Sequence, residues 1–203
     1  MSAARAPTLL GATLTLLAGG ALAQLVPLLV GPFIARVFTP EAFGLYTQFV
    51  TVAAAVAVAA SLRYEQALPL AQDEGEARAL LALALRLLAA AVLLSVPLAW
   101  ALHAAGWLQL AAWLPIAVAT AGALQVLMLW ANRAQCFRAL AVSRVVQYGG
   151  AALLQLALGW ALCKGAAAGR EGAWALVLAP IVAQAIAGIC LLRPAPSGGW
   201  RTV

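Results

Sequence analysis

The side chains in this sequence able to do chemistry are few, and nearly all sit in apolar surroundings. Arg86 lies seven residues into a run of leucine and alanine that begins near Ala79, roughly 10 Å along a helix axis. A guanidinium at that depth has two readings. Its long stem carries the head back to a headgroup layer, or its planar fork faces a water-filled cavity and binds an anionic group such as phosphate. Uncharged polar side chains recur in similar surroundings: Gln24, Thr47, Gln48, Thr51, Gln125, Gln147, Gln155 and Gln184. Most read as hydrogen-bonding glue between helices. Gln147 and Gln155 stand eight residues apart on about the same helix face, as a polar-lined cavity requires. The candidate binding set is therefore Arg86, Gln24, Gln48, Gln147 and Gln155.

Other chemistry finds little support. The single histidine, His103, reads as an interfacial polar residue, and no span holds a pair of carboxylates, a glycine-rich phosphate loop or a nucleophile motif. The expectation is a protein that is not an enzyme, with no catalytic residue, metal site or cofactor. Cys136, Cys163 and Cys190 lack metal-ligand spacing and, being odd in number, cannot form a fully paired framework; they read as small apolar residues. The acidic cluster Asp73, Glu74 and Glu76 reads as a solvated connection and not as a cation site.

The elements that must position these residues follow from composition. Of 203 residues, 66% are hydrophobic and only 9% charged, with a mean hydropathy of +1.00, whereas a soluble domain is roughly 45–50% apolar. Hydrocarbon is then the solvent for most of the surface, which restricts spanning structures to helices or closed barrels. Runs of about 20 apolar residues, without sustained alternation, select an all-α, polytopic membrane protein. The net charge of +6 is dispersed through short connections and forms no stripe with interleaved aromatics, which argues against a nucleic-acid partner.

Six spans are expected, at about 9–35, 42–62, 79–102, 107–130, 145–163 and 173–192, forming one domain over 1–193 with a polar tail over 194–203. The segment Arg5 to Ala23 imitates a cleaved secretory signal, but the apolar run continues to Ile34 and suits an uncleaved span. Thr39 before Pro40 and Glu41 reads as an N-cap with proline in the first turn. Arg63 to Arg78 and Asn132 to Arg144 read as polar loops, and His103 to Gly106 as a tight hairpin. On this map Arg5, Arg63, Arg78, Arg133, Arg138, Arg144, Arg193 and Arg201 share one side, against Arg36, Lys164 and Arg170 on the other, which sets both termini in the cytoplasm. Trp100, Trp107, Trp130, Trp160 and Trp174 fall near helix ends, as interfacial anchors do; Trp113 is the exception.

Several motifs are familiar in this order. Gly19 to Gln24 is followed by Pro32-Phe33-Ile34-Ala35-Arg36 and then Phe38-Thr39-Pro40-Glu41-Ala42-Phe43-Gly44. Ser61 to Leu70 contains Arg63-Tyr64-Glu65, and Asn132-Arg133 precedes Phe137 to Ala141 and Ser143-Arg144. Together they resemble the amino-terminal half of Wzx-type polysaccharide and O-antigen flippases, a branch of the multidrug, oligosaccharidyl-lipid and polysaccharide exporter superfamily. The positions that carry the likeness are Arg36, Pro40, Phe43, Gly44, Arg63, Tyr64, Glu65 and Arg133.

The resemblance implies a protein of lipopolysaccharide or polysaccharide biosynthesis in a bacterial inner membrane. It would move undecaprenyl-diphosphate-linked oligosaccharide from the cytoplasmic to the periplasmic leaflet. Its partners would be membrane lipids, the lipid-linked oligosaccharide and other polysaccharide-assembly membrane proteins. Family members resemble two six-helix lobes around a central cavity, so six spans look like one lobe. A lobe alone would turn its cavity face to lipid, where unpaired polar groups are penalised, and the expectation is either a truncated product or association with a second lobe or in a homo-oligomer. Two alternatives remain open at this point: a non-transporting scaffold in polysaccharide assembly, and a small-molecule exporter of the same superfamily.

Overall fold

The computed structural model describes residues 9–61, 73–107, 109–162 and 172–192. Within them the chain is helical, with no strand. In order the helices are α1 (Leu9–Val37), α2 (Pro40–Ser61), α3 (Glu74–Ala104), a 3-10 turn (Ala111–Trp113), α4 (Leu114–Arg133), α5 (Phe137–Arg144), a π-helical turn (Val145–Gly150), α6 (Ala151–Leu162) and α7 (Ala173–Leu192). Four stretches are long and apolar enough to cross a membrane: Leu14–Val37, Gly75–Ala104, Ala111–Arg133 and Ala173–Leu192. These mark the chain as a membrane protein. α2 carries Tyr46, Thr47, Gln48 and Thr51 among its apolar residues. The expected fifth span, 145–163, opens in the π turn and continues as α6.

Some boundaries differ from the sequence reading. Glu74 to Arg78, expected in a loop, begins α3, and Phe137 to Arg144, also expected in a loop, forms α5. Charged side chains report contact with water, and a helix that projects past the hydrocarbon satisfies that as well as a loop does. Arg63, Tyr64 and Glu65 lie outside the described residues, as does Cys163.

Local chemistry explains where the helices start and stop. Thr39 caps α2 as expected, its Oγ1 accepting from the Ala42 N–H at 3.3 Å, with Pro40 at the first helical position where a missing N–H is harmless. α3 ends in a Schellman motif: Gly106 N–H donates to His103 O and Trp107 N–H to Leu102 O, both at 3.0 Å. Gly106 has φ +70°, the left-handed conformation that this motif requires. α4 ends in the same way. Gln135 N–H meets Asn132 O and Cys136 N–H meets Ala131 O, both at 3.0 Å, but the left-handed position is held by Gln135 at φ 54°. Cys136 then packs with Ala131 in an apolar cluster, the contact that usually completes the motif. Helix four begins at Leu114 and not near Trp107, so Trp113 is its N-cap residue and stops being an exception among the tryptophans.

α7 is the central helix, packed by α2, α4, α5, the π turn and α6; α1 lies on α5, the π turn and α6, and α3 lies on α2 and α4. Small residues permit this closeness. α3 buries Ala77, Ala84, Ala91, Ser95 and Ala99, and Gly122 of α4 is in contact with Leu88 of α3. The opposite faces of α1 and α3 expose Leu25, Leu28, Leu29, Leu93 and Leu94, as a lipid-facing surface does. One apolar cluster, with Phe38, Ala42, Ala152, Ala173 and Leu176, closes the end at the α1–α2 corner. Another, with Leu124, Ala131, Leu140, Ala187 and Leu191, closes the opposite end.

Candidate functional site: a polar-lined cavity within the bundle

Between those clusters lies a cavity of about 370 Å³, walled by α1, α2, α4, the π turn with α6, and α7. Alanine supplies much of the wall, through Ala53, Ala54, Ala57, Ala117, Ala121, Ala151 and Ala152, so the space exists because the side chains facing it are short. Five polar side chains reach it: Tyr46, Gln147, Tyr148, Gln155 and Gln184. None is charged. The volume falls within the range of roughly 300–1,000 Å³ typical of small-molecule sites. Consecutive helices α1 and α2 meet at their shared corner but are not packed along their length. Pro27 of α1 and the exposed Val50 of α2 both border the cavity, which leaves its side wall open between these two helices.

These polar groups have different duties. Pro180 has no N–H, so the carbonyl of Leu176, four residues earlier, loses its usual helical donor. Gln155 Nε2 donates to Leu176 O at 3.0 Å, repairing that break in the way membrane helices require. Tyr46 interacts with the Gln155 side chain. Gln184 Oε1 lies 3.3 Å from Thr120 Oγ1, which is also 3.0 Å from Ile116 O. Gln147 makes no hydrogen bond to any described residue and leaves its amide to the cavity.

Of the expected binding set, the structure brings Gln147 and Gln155 together and keeps the others apart. In an uninterrupted α-helix eight residues turn about 800°, which would set these two about 80° apart. The π turn, which contains Gln147, takes up an additional residue and closes most of that offset. Gln24 is exposed on α1. Gln48 is exposed on α2, where its Nε2 donates to Trp107 O at 2.7 Å and ties α2 to the α3–α4 connection. Arg86 is exposed on α3, about 200° around the helix from buried Ala84, and makes no ion pair or hydrogen bond with a described residue. Tyr46 and Thr120 were not singled out by sequence: each is a polar residue within an alanine-rich helix, the same signal that flagged the glutamines.

Of the motif positions named above, Arg36, Pro40, Phe43, Gly44 and Arg133 are among the described residues. Arg36 and Gly44 are exposed, Phe43 packs edge-on against Phe38 with ring centroids 6.3 Å apart, and Arg133 sits in the last turn of α4. Compared with family models, with curated proteins and with solved structures, the chain finds no match.

Proposed function

We propose that this chain is a six-helix lobe of a polysaccharide flippase, working with a second lobe or a second copy of itself in a bacterial inner membrane. The observation that carries the reading is the uncharged, amide-lined cavity held at mid-depth in a bundle of membrane-length helices. Its open side, between α1 and α2, is where a second lobe would complete a central path. The exposed face of α2 supports the same assignment. It carries Gly44, Thr47, Gln48, Thr51 and Ala54 where α1 and α3 expose leucines, a composition suited to helix contact or water and not to acyl chains. With α2 and the α5–π–α6 rod counted as crossings, the bundle has six. The described basic residues outside the hydrocarbon then divide as Arg36 at one end against Arg78, Arg133, Arg138 and Arg144 at the other, which favours cytoplasmic termini.

In this role Gln147 and Gln184 meet the neutral, hydroxyl-rich part of a passing glycolipid, Gln155 and Tyr46 hold the wall, and Arg86 stays at the headgroup level. No step makes or breaks a covalent bond, so the chain is not an enzyme in this reading. The test is restoration of surface polysaccharide in a flippase-deficient strain by the chain, alone or expressed with a second six-helix lobe. Gln147→Leu is expected to lower restoration at least tenfold at unchanged membrane level. Stable membrane expression with no restoration in either setting would leave the scaffold reading. A second reading, export of a small neutral solute, is favoured by the size and neutrality of the cavity; altered drug sensitivity on deletion, with normal polysaccharide, would select it.

A further inference from the structure

A second hollow, of about 350 Å³, lies between the π turn with α6 and α7, lined by residues that include Val146, Gly150, Leu153, Leu154, Ala183 and Ile186. It shares no lining residue with the polar cavity and opens on the outer face of the bundle, where Leu153 and Ile186 are about half exposed. Its wall is apolar throughout. Gly150 makes the floor: a Cβ built there would meet nothing closer than Val146, at 3.9 Å, so the hollow exists because this position has no side chain.

The hollow sits at mid-depth. α7 crosses from Ala173 to Leu192, and Ala183 stands near its centre. Leu140 of α5 shares an apolar cluster with Leu191, which puts the start of α5 at the end of that crossing. From there a line of residues one turn apart leads down to the hollow: Arg138, Val142, Val146 and Gly150. Residues four apart on an α-helix differ in direction by only about 40°. Val142 is exposed, and Arg138 is exposed with no ion pair or hydrogen bond to a described residue. At the helical rise, Arg138 to Gly150 covers about 18 Å, a little more than half of a hydrocarbon core about 30 Å thick. The line is therefore one leaflet deep, with a cation at its headgroup end and an apolar slot at its midplane end.

That combination fits one kind of occupant. A guanidinium takes a phosphate through its planar fork, and basic sites at the ends of membrane helices hold anionic headgroups. A headgroup that carries its own ammonium offers Arg138 less net charge than one that does not. The slot is matched to hydrocarbon, and it faces away from the open wall between α1 and α2 where a second lobe would dock.

We infer that Arg138, Val142, Val146 and Gly150 form a binding line for one anionic phospholipid of the adjoining leaflet, its phosphate on Arg138 and the end of an acyl chain in the slot over Gly150. The site stands apart from the transport reading and does not need it.

The chain is placed in nanodiscs of equal parts phosphatidylglycerol and phosphatidylcholine with matched acyl chains, and the lipid that stays bound on gentle release is identified by native mass spectrometry. One phosphatidylglycerol per chain is expected, preferred about tenfold over phosphatidylcholine. Gly150→Leu fills the slot and should lower the retained fraction of either lipid at least fivefold. Arg138→Gln, at an exposed position, should lower the preference at least fivefold and keeps the test open should Gly150→Leu not fold. Arg144→Gln is the control, because Arg144 is also exposed but lies about 200° around the helix from Val142; the preference should hold. Equal losses from the two arginine variants would mean general attraction to charge and overturn the site. No retained phospholipid, a retained polyprenyl phosphate in its place, or a lipid-free dimer would overturn it too. A chain that holds its phosphatidylglycerol but restores no polysaccharide sinks only the transport reading.

Discussion

Replacing Gln155 by leucine tests whether this glutamine is there for Pro180. Its amide donates at 3.0 Å to Leu176 O, on a residue with no exposed surface, and Pro180 offers that carbonyl no N–H. A buried carbonyl left unsatisfied costs about 1–3 kcal/mol. Interhelical hydrogen bonds in membranes average about 0.6 and reach about 1.7 kcal/mol in double-mutant cycles, so Gln155→Leu is expected to cost about 1–1.5 kcal/mol. At 2–4 °C per kcal/mol for a chain of this size, the midpoint of thermal unfolding in detergent should fall by roughly 2–6 °C. Pro180→Ala restores the N–H at position 180 and gives Leu176 O its helical donor. In that background Gln155→Leu should be close to neutral, a coupling of about 1 kcal/mol between residues that are 25 apart in sequence. Because Gln155 also pairs with Tyr46, the cycle is repeated with Tyr46→Phe, where the coupling should persist. Equal destabilisation by Gln155→Leu with and without Pro180, within about 0.3 kcal/mol, would refute the repair argument and return Gln155 to the cavity as a ligand-facing group.

Three further outcomes follow from the packing. Gly159→Ala would set a Cβ 2.7 Å from Val37 Cγ1 and Phe38 Cε2, prying α6 from the α1–α2 corner at a cost of about 1–3 kcal/mol. The unfolding midpoint should drop, while Gly20→Ala, whose Cβ meets nothing within 4 Å, should hold or raise it. Gln135→Gly relieves a left-handed residue at the end of α4 and should stabilise by about 1 kcal/mol, read from the same melting curve; no gain would mean that the Gln135 side chain compensates for its backbone. Arg86→Ala should leave polysaccharide restoration within about twofold, because the uncharged run Leu87 to Leu102 covers about 24 Å of a hydrocarbon core about 30 Å thick and the guanidinium has only a few ångströms to reach the headgroups. A tenfold loss would bring Arg86 into the transport path.

The helices were legible because the physics that sets them is local and one-dimensional. A run of apolar residues of bilayer length has few alternatives, and Thr39 before Pro40 announces a helix start in any context. Glycine at 106 likewise announces a helix end. What escaped were features that depend on a partner in space. α5 was hidden because Arg138 and Arg144 give Phe137 to Arg144 a loop-like composition, although both arginines point away from the bundle and leave Leu140, Ala141 and Ser143 to be buried. The π turn was hidden because its composition, Val-Val-Gln-Tyr-Gly-Gly, is equally that of an α-helix or a strand, and the close approach of Gly149 to Val26 of α1 exists only in space.

The site was half legible for a related reason. Sequence identifies which side chains are polar in an apolar setting, and hydrocarbon guarantees that each has a purpose, but glutamine serves equally as ligand group, helix glue and backbone repair. A rule narrower than polarity separates these roles. Every proline at position i inside a membrane helix leaves a carbonyl at i−4 in want of a donor, and Pro27, Pro32, Pro97 and Pro180 thus mark Ala23, Leu28, Leu93 and Leu176 as acceptors by position alone. Exposed Leu28 and Leu93 lie at the surface of the bundle, so of the two buried acceptors Leu176 is the one that has captured a glutamine. Subtracting the amide that a proline requires leaves Gln147, and the amide nitrogen of Gln184 whose oxygen accepts from Thr120, to spare for a ligand. That subtraction makes Gln147, rather than the more conspicuous Arg86, the residue on which the transport reading depends.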